Sequence, residues 1–455
     1  MIGGPAVLGG GRRRIIPDRR TAALLGLVMI ASFLVRLDLL QNSAPPIAPA
    51  PAVSDAAAYR LLGQGLARGD GYVRPFDLQR QGVRVSTAEY PPGFPLLLAK
   101  ADLLGLKSET GQRALLCLIG SLTVGLVGLI GRRLGGDGVG LLAATIAAFH
   151  PSLWSTDTSP LAEPLAVWFA MATVLAALAV YDRPIARRWL LLGALAGLGG
   201  LVRTELLVLG PLLMFPLAWR LGDTRRRQMG ALALGIASML AVVAPWTIRN
   251  AVAFGRFVPV SNNLGSVVKG ANCDGAYRGE FRGLWVTNVS EVGGDQVDPA
   301  GRCFTGFDLD RGQNEAESAA KLRSQGLSYA RDHLSEIPGV LGARIGRTVG
   351  LYRFDQQVNF ARFEGRLGRA DRQGTRLFQL LSLIAVAGAL APWRHRDRLR
   401  WVAVAPVLAV LVTVMATYGN LRFRAVADPA VVVLAALAMG DLARRLASRQ
   451  GVQRS

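Results

Sequence analysis

The side chains best suited to chemistry in this sequence are carboxylates at the borders of long apolar segments. The first is Asp55, which follows Ser54 at the start of a run of alanines. Serine is favoured just before a helix, so Asp55 is predicted to lie in a first helical turn, where the helix dipole favours its ionised form. Such a carboxylate suits a general base. The alternative is a capping carboxylate with a purely structural role.

A second carboxylate, Glu89, precedes the turn Tyr90-Pro-Pro-Gly-Phe-Pro95. Paired prolines fix the direction of the chain, so Glu89 is expected where the chain re-enters a bilayer. A carboxylate there needs a partner, which is a cation, a metal ion, an acceptor hydroxyl or simply a neighbouring arginine. Tyr59 shares the helical face of Asp55, because residues four apart lie on one side of a helix. Glu89 and Tyr59 are therefore predicted to form an acceptor or second acidic site.

The segment from His150 to Pro164 contains further candidates, Asp157 and Glu163, and no lysine or arginine. Glu163 is assigned to the same acidic site as Glu89. Imidazole and carboxylate groups ligate divalent ions, but no compact metal motif such as HExxH is present. Glu89 and His150 are weak candidates for a metal site, and dependence on a divalent cation stays open.

Two arginines, Arg422 and Arg424, stand at alternate positions just before the last apolar segment. Guanidinium groups bind phosphate in a forked geometry, so a phosphate at headgroup level would explain them. The alternative is snorkelling of both side chains to the membrane surface. Lys269 is a weaker candidate for the same phosphate. Arg203 and Glu205 join two apolar stretches so tightly that an internal ion pair is expected.

These residues lie between segments that are long and apolar enough to cross a membrane. Of the 455 residues, 51% are apolar and only 18% are charged, and the mean hydropathy is +0.32. A helix of about 20 apolar residues crosses the hydrocarbon of a bilayer. We predict an all-α polytopic membrane protein of about ten transmembrane helices, with short interfacial helices and a small outer region of helical and irregular structure. The predicted spans are 21–40, 112–131, 139–149, 161–180, 189–202, 206–219, 229–246, 377–391, 401–418 and 429–442.

The distribution of arginine argues against a nucleic-acid partner, although the formal net charge is +21. Arginines occur in short runs between the apolar segments, as the positive-inside rule produces. With the N-terminus inside, every run and both termini fall in the cytoplasm. Only four of the 52 basic residues are lysine, which favours a bacterial plasma membrane. The resulting organisation is a basic tail (1–20), a transmembrane module (21–246) with a first outer loop (41–111), an outer region (247–376), C-terminal transmembrane helices (377–443) and a basic tail (444–455).

The outer region carries two of the three cysteines, Cys273 and Cys303. Because an outside location is oxidising, we predict a disulfide between them, with two buried free thiols as the alternative. Cys117 lies within a span and is interpreted as a packing residue. Residues 314–333 show apolar positions three and four apart and are predicted to form an amphipathic helix over the membrane.

Taken in order, several short motifs resemble the GT-C superfamily of polytopic glycosyltransferases, especially its protein O-mannosyltransferase and aminoarabinose transferase branch. The motifs are Asp55 before Tyr59, Tyr90-Pro-Pro-Gly-Phe-Pro95, Glu163-Pro164, Leu201-Val-Arg203-Thr-Glu205, Pro245-Trp-Thr-Ile-Arg-Asn250 and Arg422-Phe-Arg424. The resemblance implies transfer of a sugar, with inversion at C1, from a polyprenyl monophosphate to an acceptor outside the cytoplasm. It further implies that Asp55 is the base, that Glu89 matches a second acidic position, and that the C-terminal arginines bind the lipid phosphate.

The function predicted from the sequence is therefore an inverting, polyprenyl-phosphate-sugar-dependent glycosyltransferase of cell-envelope assembly, with its active site on the outer face. Its acceptor is a glycan, a glycolipid or a protein. A transporter or flippase of a lipid-linked saccharide is the alternative, although neither inverted repeats nor broken midplane helices are visible. A third reading, a noncatalytic scaffold, would leave Asp55 dispensable.

Overall fold

The computed structural model describes residues 17–45, 54–286, 303, 314–391 and 399–453. These residues are mostly helical, and the β-pairing among them is limited to one isolated antiparallel bridge, Val73 to Ser86. Two short 3-10 helices lie at Thr204–Val208 and Leu334–Glu336. The α-helices are α1 (Arg19–Asn42), α2 (Asp55–Arg68), α3 (Pro75–Gln81), α4 (Gly93–Leu103), α5 (Glu109–Gly135), α6 (Asp137–Ala148), α7 (Pro151–Asp157), α8 (Glu163–Asp182), α9 (Ala186–Val202), α10 (Leu209–Leu221), α11 (Arg225–Phe254), α12 (Leu264–Ala271), α13 (Asp274–Tyr277), α14 (Glu315–Asp332), α15 (Ile337–Thr348), α16 (Phe354–Phe363), α17 (Gly368–Leu390), α18 (Trp401–Ala416), α19 (Leu421–Arg424) and α20 (Asp428–Gln453).

Six helical segments among the described residues are long and apolar enough to cross a membrane. They are α1, α5, α8, Thr204–Leu221, α11 and α17. The helices α6 and α18 are equally apolar but shorter. The all-helical membrane fold is thus confirmed, whereas the number of ten spans stays a prediction.

Several helices are longer than the apolar segments from which they were predicted. The predicted span 229–246 belongs to α11, which continues to Phe254, and the helix predicted from 377 begins at Gly368. The extra turns of α11 are anchored by Arg249, which donates hydrogen bonds to the carbonyl oxygens of Thr87 (2.7 Å) and Tyr72 (2.8 Å). Apolar composition marks the part of a helix that contacts hydrocarbon, but main-chain hydrogen bonding continues where polar side chains find partners.

Small residues allow the helices of the bundle to approach closely. A Cβ atom added at Gly193 of α9 would lie 2.1 Å from the carbonyl oxygen of Gly235 in α11. At Gly197, one turn later, it would lie 2.7 Å from the carbonyl oxygen of Met239. Contacts through small residues are typical of helices that pack in a membrane. This packing brings the end of α9, and with it Arg203, to a fixed place in the bundle.

Arginines of several runs within the described residues lie at one end of the bundle, which we call the basic end. The contacts that join them are Arg133 with Asp182, Arg444 with the carbonyl oxygen of Gly135, and Arg220 with the ring of Trp401. These residues come from the ends of α5, α8 and α10 and from α18 and α20. Glu163 lies at the opposite border of α8, as its first residue.

The region between α11 and α17 is held to the bundle by buried arginines. Arg344 of α15 donates to the carbonyl oxygens of Ala271 (2.7 Å) and Met415 (2.8 Å), and so joins α12 to the end of α18. Glu315, the first residue of α14, accepts a hydrogen bond from the main-chain nitrogen of Ala88 at 2.8 Å. The predicted amphipathic helix 314–333 corresponds to α14, which packs against α12. These contacts fix the region against the segment that carries Glu89.

The same region contains the disulfide between Cys273 and Cys303, at a sequence separation of 30 residues. Both cysteines pack in a small apolar cluster with Tyr277 and Phe281. Cys117 is a buried free thiol in α5, consistent with a packing role. The disulfide therefore joins Cys303 to a separate apolar core.

Candidate active site

Asp55 is presented by the first turn of α2. The Ser54 hydroxyl accepts a hydrogen bond from the main-chain nitrogen of Ala57 at 3.2 Å, as expected of an N-cap. The Asp55 carboxylate accepts hydrogen bonds at both oxygens, from the Tyr90 hydroxyl at 2.9 Å and from Nη1 of Arg422 at 2.8 Å. Its side chain nevertheless remains 37% exposed. Asp55 is thus fixed in orientation and still accessible to a substrate.

Arg422 lies at the centre of the site. The Asn420 side chain caps α19 by accepting from the main-chain nitrogen of Arg422 at 2.9 Å. The Arg422 side chain is 9% exposed and contacts a second carboxylate, Glu163, through Nε at 2.7 Å. Its Nη1 also donates to Glu364, in addition to Asp55. One guanidinium therefore joins α2, α8 and the connection between α16 and α17.

Glu163 and Arg203 extend this arrangement. Glu163 is only 2% exposed and accepts hydrogen bonds from both Arg203 and Arg422. Arg203 also forms the expected ion pair with Glu205 and lies over the Phe423 ring at 5.5 Å. Glu163 was predicted to belong to an acceptor or acidic site; both arginines contact its Oε1, and its buried Oε2 has no hydrogen-bond partner among the described residues. Glu163 therefore orients the side chains of Arg203 and Arg422.

We call these six residues the charged cluster. They comprise four carboxylates and two guanidinium groups: Asp55, Glu163, Glu205, Glu364, Arg203 and Arg422. With every group ionised, the cluster carries a net negative charge. A buried charge requires compensation, so the arginines are needed to hold the carboxylates together.

A small pocket adjoins the cluster. Glu163, Arg203 and Arg422 form its polar wall. Its remaining lining is a further carboxylate, Glu205, together with largely apolar residues from the 3-10 helix Thr204–Val208, from α18 and from the segment before α20: Leu206, Ala409, Val410, Thr413, Phe423 and Val426. Such a pocket matches a ligand with one anionic and one hydrocarbon part.

Glu89 is close to the cluster but outside its ion pairs. The residue is exposed to solvent. Partial loss of hydration caused by surrounding protein atoms, together with the carboxylates of Glu315 and Asp55, raises the pKa of Glu89 to about 7. Tyr59, predicted to share the site, lies in the apolar core with its ring 4.7 Å from that of Tyr90. Burial raises the pKa of Tyr59, so its hydroxyl stays protonated.

The structure does not bring Arg424 to the cluster. Its side chain is 2% exposed and pairs with Asp428 at 2.9 Å. It also donates to the hydroxyls of Thr375 (3.0 Å) and Ser152 (2.9 Å). Because α19 is helical, residues two apart point to nearly opposite sides, and the expected fork of two arginines is not formed. Arg424 instead ties α20 to α7 and α17.

Lys269 and His150 lie elsewhere. Lys269 is half-buried in α12, and within the described part of the chain its ammonium forms no ion pair. Burial lowers its pKa. His150 is buried without a hydrogen-bond partner for either ring nitrogen, and burial and the nearby Arg424 and Arg36 lower its pKa to about 3. Its neighbouring charged groups are arginines, whereas those nearest Glu89 are carboxylates, and a metal site shared by the two stays a prediction.

No group of three or more possible metal ligands occurs among the residues that the structure describes. Asp157, which was grouped with His150 by sequence, is paired with Arg36 at 2.7 Å in the bundle interior. The structure thus offers no compact set of histidine, cysteine and carboxylate ligands in its described part. Dependence on a divalent cation remains an open prediction.

Two residues of the site were not recognised from sequence. Tyr90 begins the proline-rich turn 90–95, but the hydrogen bond from its hydroxyl to Asp55 depends on how α2 and α4 pack. Glu364 is a single acid in the connection between α16 and α17, with no local pattern that separates it from other acids. Its role depends on contact with Arg422, which is 58 residues away in sequence.

Comparison with known proteins supports the fold. A sequence model of the dolichyl-phosphate-mannose-protein mannosyltransferase family matches residues 89–248, which include Glu89, Glu163 and Arg203. No curated protein matches the chain in sequence. Among solved structures, the oligosaccharyltransferase of Archaeoglobus fulgidus tethered with an acceptor peptide has a TM-score of 0.55 at 14% identity, over 93% of this chain and 49% of that chain.

The same archaeal enzyme, in complex with an inhibitory peptide and a dolichol-phosphate, has a TM-score of 0.54 at 12% identity, over 96% of this chain and 52% of that chain. ArnT from Cupriavidus metallidurans bound to undecaprenyl phosphate has a TM-score of 0.41 at 16% identity, over 94% of this chain and 79% of that chain. The chain spans about half the length of the archaeal structures that it matches. The chain therefore has the fold of the GT-C glycosyltransferases, and the resemblance predicted from its motifs is confirmed.

Proposed function

We propose that this chain is an inverting glycosyltransferase that transfers a sugar from a polyprenyl-phosphate carrier to an acceptor outside the cytoplasm. The observation that carries the proposal is the contact between Asp55 and Arg422, at 2.8 Å. A potential base and a potential phosphate ligand thereby meet beside a pocket whose remaining lining is largely apolar. The match to a family of dolichyl-phosphate-mannose-dependent enzymes supports the same activity.

In the proposed reaction, Asp55 accepts the proton of the acceptor hydroxyl as the oxygen forms its bond to C1 of the sugar. The bond from C1 to the phosphate oxygen breaks on the opposite face, and the electron pair stays on the phosphate. The carrier phosphate gains one negative charge. Arg422 and Arg203 lie where they can stabilise this charge, and Glu163 keeps both guanidinium groups in place.

The pocket supports a lipid-linked donor. Arg203 and Arg422 are proposed to bind the phosphate, while the hydrocarbon chain follows the apolar wall that α18 provides. Lys269 is a further candidate for phosphate binding, because it is a half-buried cation without an ion pair in the described residues. Arg424 is left out of this site, since Asp428 already neutralises it in the interior. Glu89 and the adjacent Tyr90 are proposed to line the acceptor side.

The proposed orientation places the basic end in the cytoplasm and the charged cluster at the outer face of a bacterial plasma membrane. Positively charged loops resist translocation, and the proposal is supported by contacts that link the ends of α5, α8 and α10 to α18 and α20 near several described arginines. The acceptor is then a cell-envelope glycan, a glycolipid or a protein. The disulfide of Cys273 and Cys303 is consistent with an oxidising location.

The test uses purified protein in detergent and a set of synthetic polyprenyl-phosphate sugars, with envelope extracts as acceptors and product detection by mass spectrometry. Once a donor is found, we expect Asp55→Asn to lower turnover by about 10²- to 10⁴-fold, the range typical of a lost general base. Asp77→Asn is the matched control, because Asp77 also lies in the segment between α1 and α5 and makes only a 3.8 Å contact with Arg74. Equal turnover by wild type and Asp55→Asn would exclude the proposed mechanism.

Reconstituted vesicles separate the alternative functions. Movement of the lipid-linked sugar across the bilayer without transfer would support a transporter. Absence of turnover with every donor, together with unchanged envelope assembly in cells that carry Asp55→Asn, would support a scaffold.

A further inference from the structure

Glu364 is a carboxylate of the charged cluster that the proposed reaction does not use. It accepts a hydrogen bond from Nη1 of Arg422, the same nitrogen that donates to Asp55. An Nη nitrogen of arginine carries two hydrogens, and here each faces a carboxylate. A phosphate oxygen can therefore bind this nitrogen only if one of the two carboxylates leaves.

The anchoring of the two carboxylates indicates which one leaves. Asp55 is fixed by the cap of α2 and by the Tyr90 hydroxyl, which donates to its second oxygen. The Glu364 side chain contacts Arg422 alone among the described residues. Its main-chain carbonyl accepts from the Ser159 hydroxyl at 3.2 Å, so the backbone is held while the side chain can rotate. At 25% exposure, that side chain also has access to water.

The charge balance favours protonation of the carboxylate that leaves. The cluster already holds four carboxylates against two arginines, and a donor phosphodiester adds a further negative charge. Burial and the carboxylates of Asp55 and Glu163 raise the pKa of Glu364 to about 7, although Arg422 opposes this shift. The remaining groups that face Glu364 are Tyr418 and Arg366, and Arg366 is paired with Asp371 at 2.7 Å.

We propose that, before the donor binds, the Glu364 carboxylate occupies the site on Arg422 that the donor phosphate later takes. When the donor binds, Glu364 releases Arg422 and takes up one proton from solvent. This inference rests on the proposed function. No covalent bond to carbon changes in the exchange: the Arg422 hydrogen bond passes from the carboxylate to a phosphate oxygen, and the carboxylate becomes a neutral acid. Glu364 is thus a positioning residue, which holds Arg422 beside Asp55 until the donor arrives.

Linkage between the proton and the donor makes the proposal measurable. If one proton is taken up, donor affinity must weaken as the pH rises, by up to about tenfold per pH unit above neutrality. Glu364→Gln is neutral, like the protonated acid, and should bind the donor with little dependence on pH. At pH 8.5, this variant should therefore bind about tenfold or more tightly than wild type, although it has lost a contact of the unliganded protein.

The experiment is isothermal titration calorimetry in detergent with a polyprenyl methyl phosphate. This phosphodiester keeps one negative charge between pH 6 and 9, so its own ionisation does not contribute. Comparing buffers of different ionisation enthalpy at pH 7.5 counts the protons taken up. We expect wild type and Asp77→Asn to take up a substantial fraction of a proton, because Asp77 lies outside the charged cluster and makes only a 3.8 Å contact with Arg74. We expect Glu364→Gln to take up none.

The outcomes separate this inference from the proposed function. Binding by wild type without proton uptake, or equal uptake by Glu364→Gln, would overturn the role of Glu364 and leave the phosphate site intact. Failure of wild type to bind the probe would overturn the phosphate site and this inference together. If Glu364→Gln does not fold, the proton count of Glu89→Gln decides the question, because Glu89 is the other carboxyl group near the cluster whose pKa is raised to about 7, and unchanged uptake by this variant is then expected.

Discussion

Arg422 and Arg424 are only two residues apart, and the structure predicts different consequences when each is replaced by glutamine. Arg424→Gln leaves the Asp428 carboxylate, which is 1% exposed, without its cation. Breaking a buried ion pair of this kind costs about 3 to 5 kcal/mol of folding free energy. Arg422→Gln should lower the folding free energy by less. Glu163 still pairs with Arg203, and the other two carboxylates that contact Arg422, Asp55 and Glu364, are 37% and 25% exposed to water.

The functional consequences should be reversed. Arg422→Gln removes a guanidinium that faces both Asp55 and the pocket, and should lower turnover by about 10²- to 10³-fold, as loss of one electrostatic stabiliser does. Folded Arg424→Gln should keep most of its turnover, because Arg424 contacts Asp428, Thr375 and Ser152 rather than the cluster.

The assay pairs the thermal unfolding midpoint, followed by tryptophan fluorescence in detergent, with turnover per folded molecule. A double variant, Arg424→Met with Asp428→Leu, should recover much of the lost stability, because replacement of both partners by apolar groups removes the uncompensated charge. The reasoning is refuted if Arg424→Gln loses turnover as strongly as Arg422→Gln while its midpoint is unchanged.

Three further predictions follow from the same contacts. Tyr90→Phe removes the hydroxyl that donates to Asp55, a charge-assisted hydrogen bond, and should reduce turnover at saturating donor by about tenfold or more, whereas the unfolding midpoint should change little. Cys273→Ser opens a loop of 30 residues and should lower the free energy of unfolding by about 3 to 4 kcal/mol, with Cys117→Ser as a control that leaves sensitivity to reductant unchanged. The folded-state pKa of Glu89 is raised to about 7, so the folded protein binds more protons than the unfolded chain between pH 4.5 and 7, and stability should fall as the pH rises through this interval. Glu89→Gln should flatten that part of the profile of unfolding midpoint against pH, and an unchanged profile would contradict the assignment.

The site was partly predictable because charged residues beside apolar segments are conspicuous. Asp55 follows a strong N-cap residue, and Arg422 breaks the trend that keeps arginine away from one side of the membrane. Both were found from these signals alone, and the structure brings them into contact. Arg424 carried the same signal, yet its surroundings differ, because the residues 421–424 form a helical turn rather than an extended strand.

Partnerships across long sequence separations were not predictable. Glu163 was assigned to an acidic site, but Arg203 and Arg422 converge on it from separate elements. Glu364 carried no pattern at all, because a single acid between two helices is ordinary in a sequence. Its significance arises only from the approach of α19 to the connection between α16 and α17.

The sequence by itself determined that this chain is helical and membrane-embedded, because hydrocarbon requires long apolar helices and cationic loops remain on one side. It also determined where helix starts would present carboxylates, since capping depends on neighbouring residues. Only the tertiary structure decided which arginine meets which carboxylate. Charge pairing is a property of distance in space, and the helices that carry Asp55 and Arg422 are separated by 367 positions along the chain.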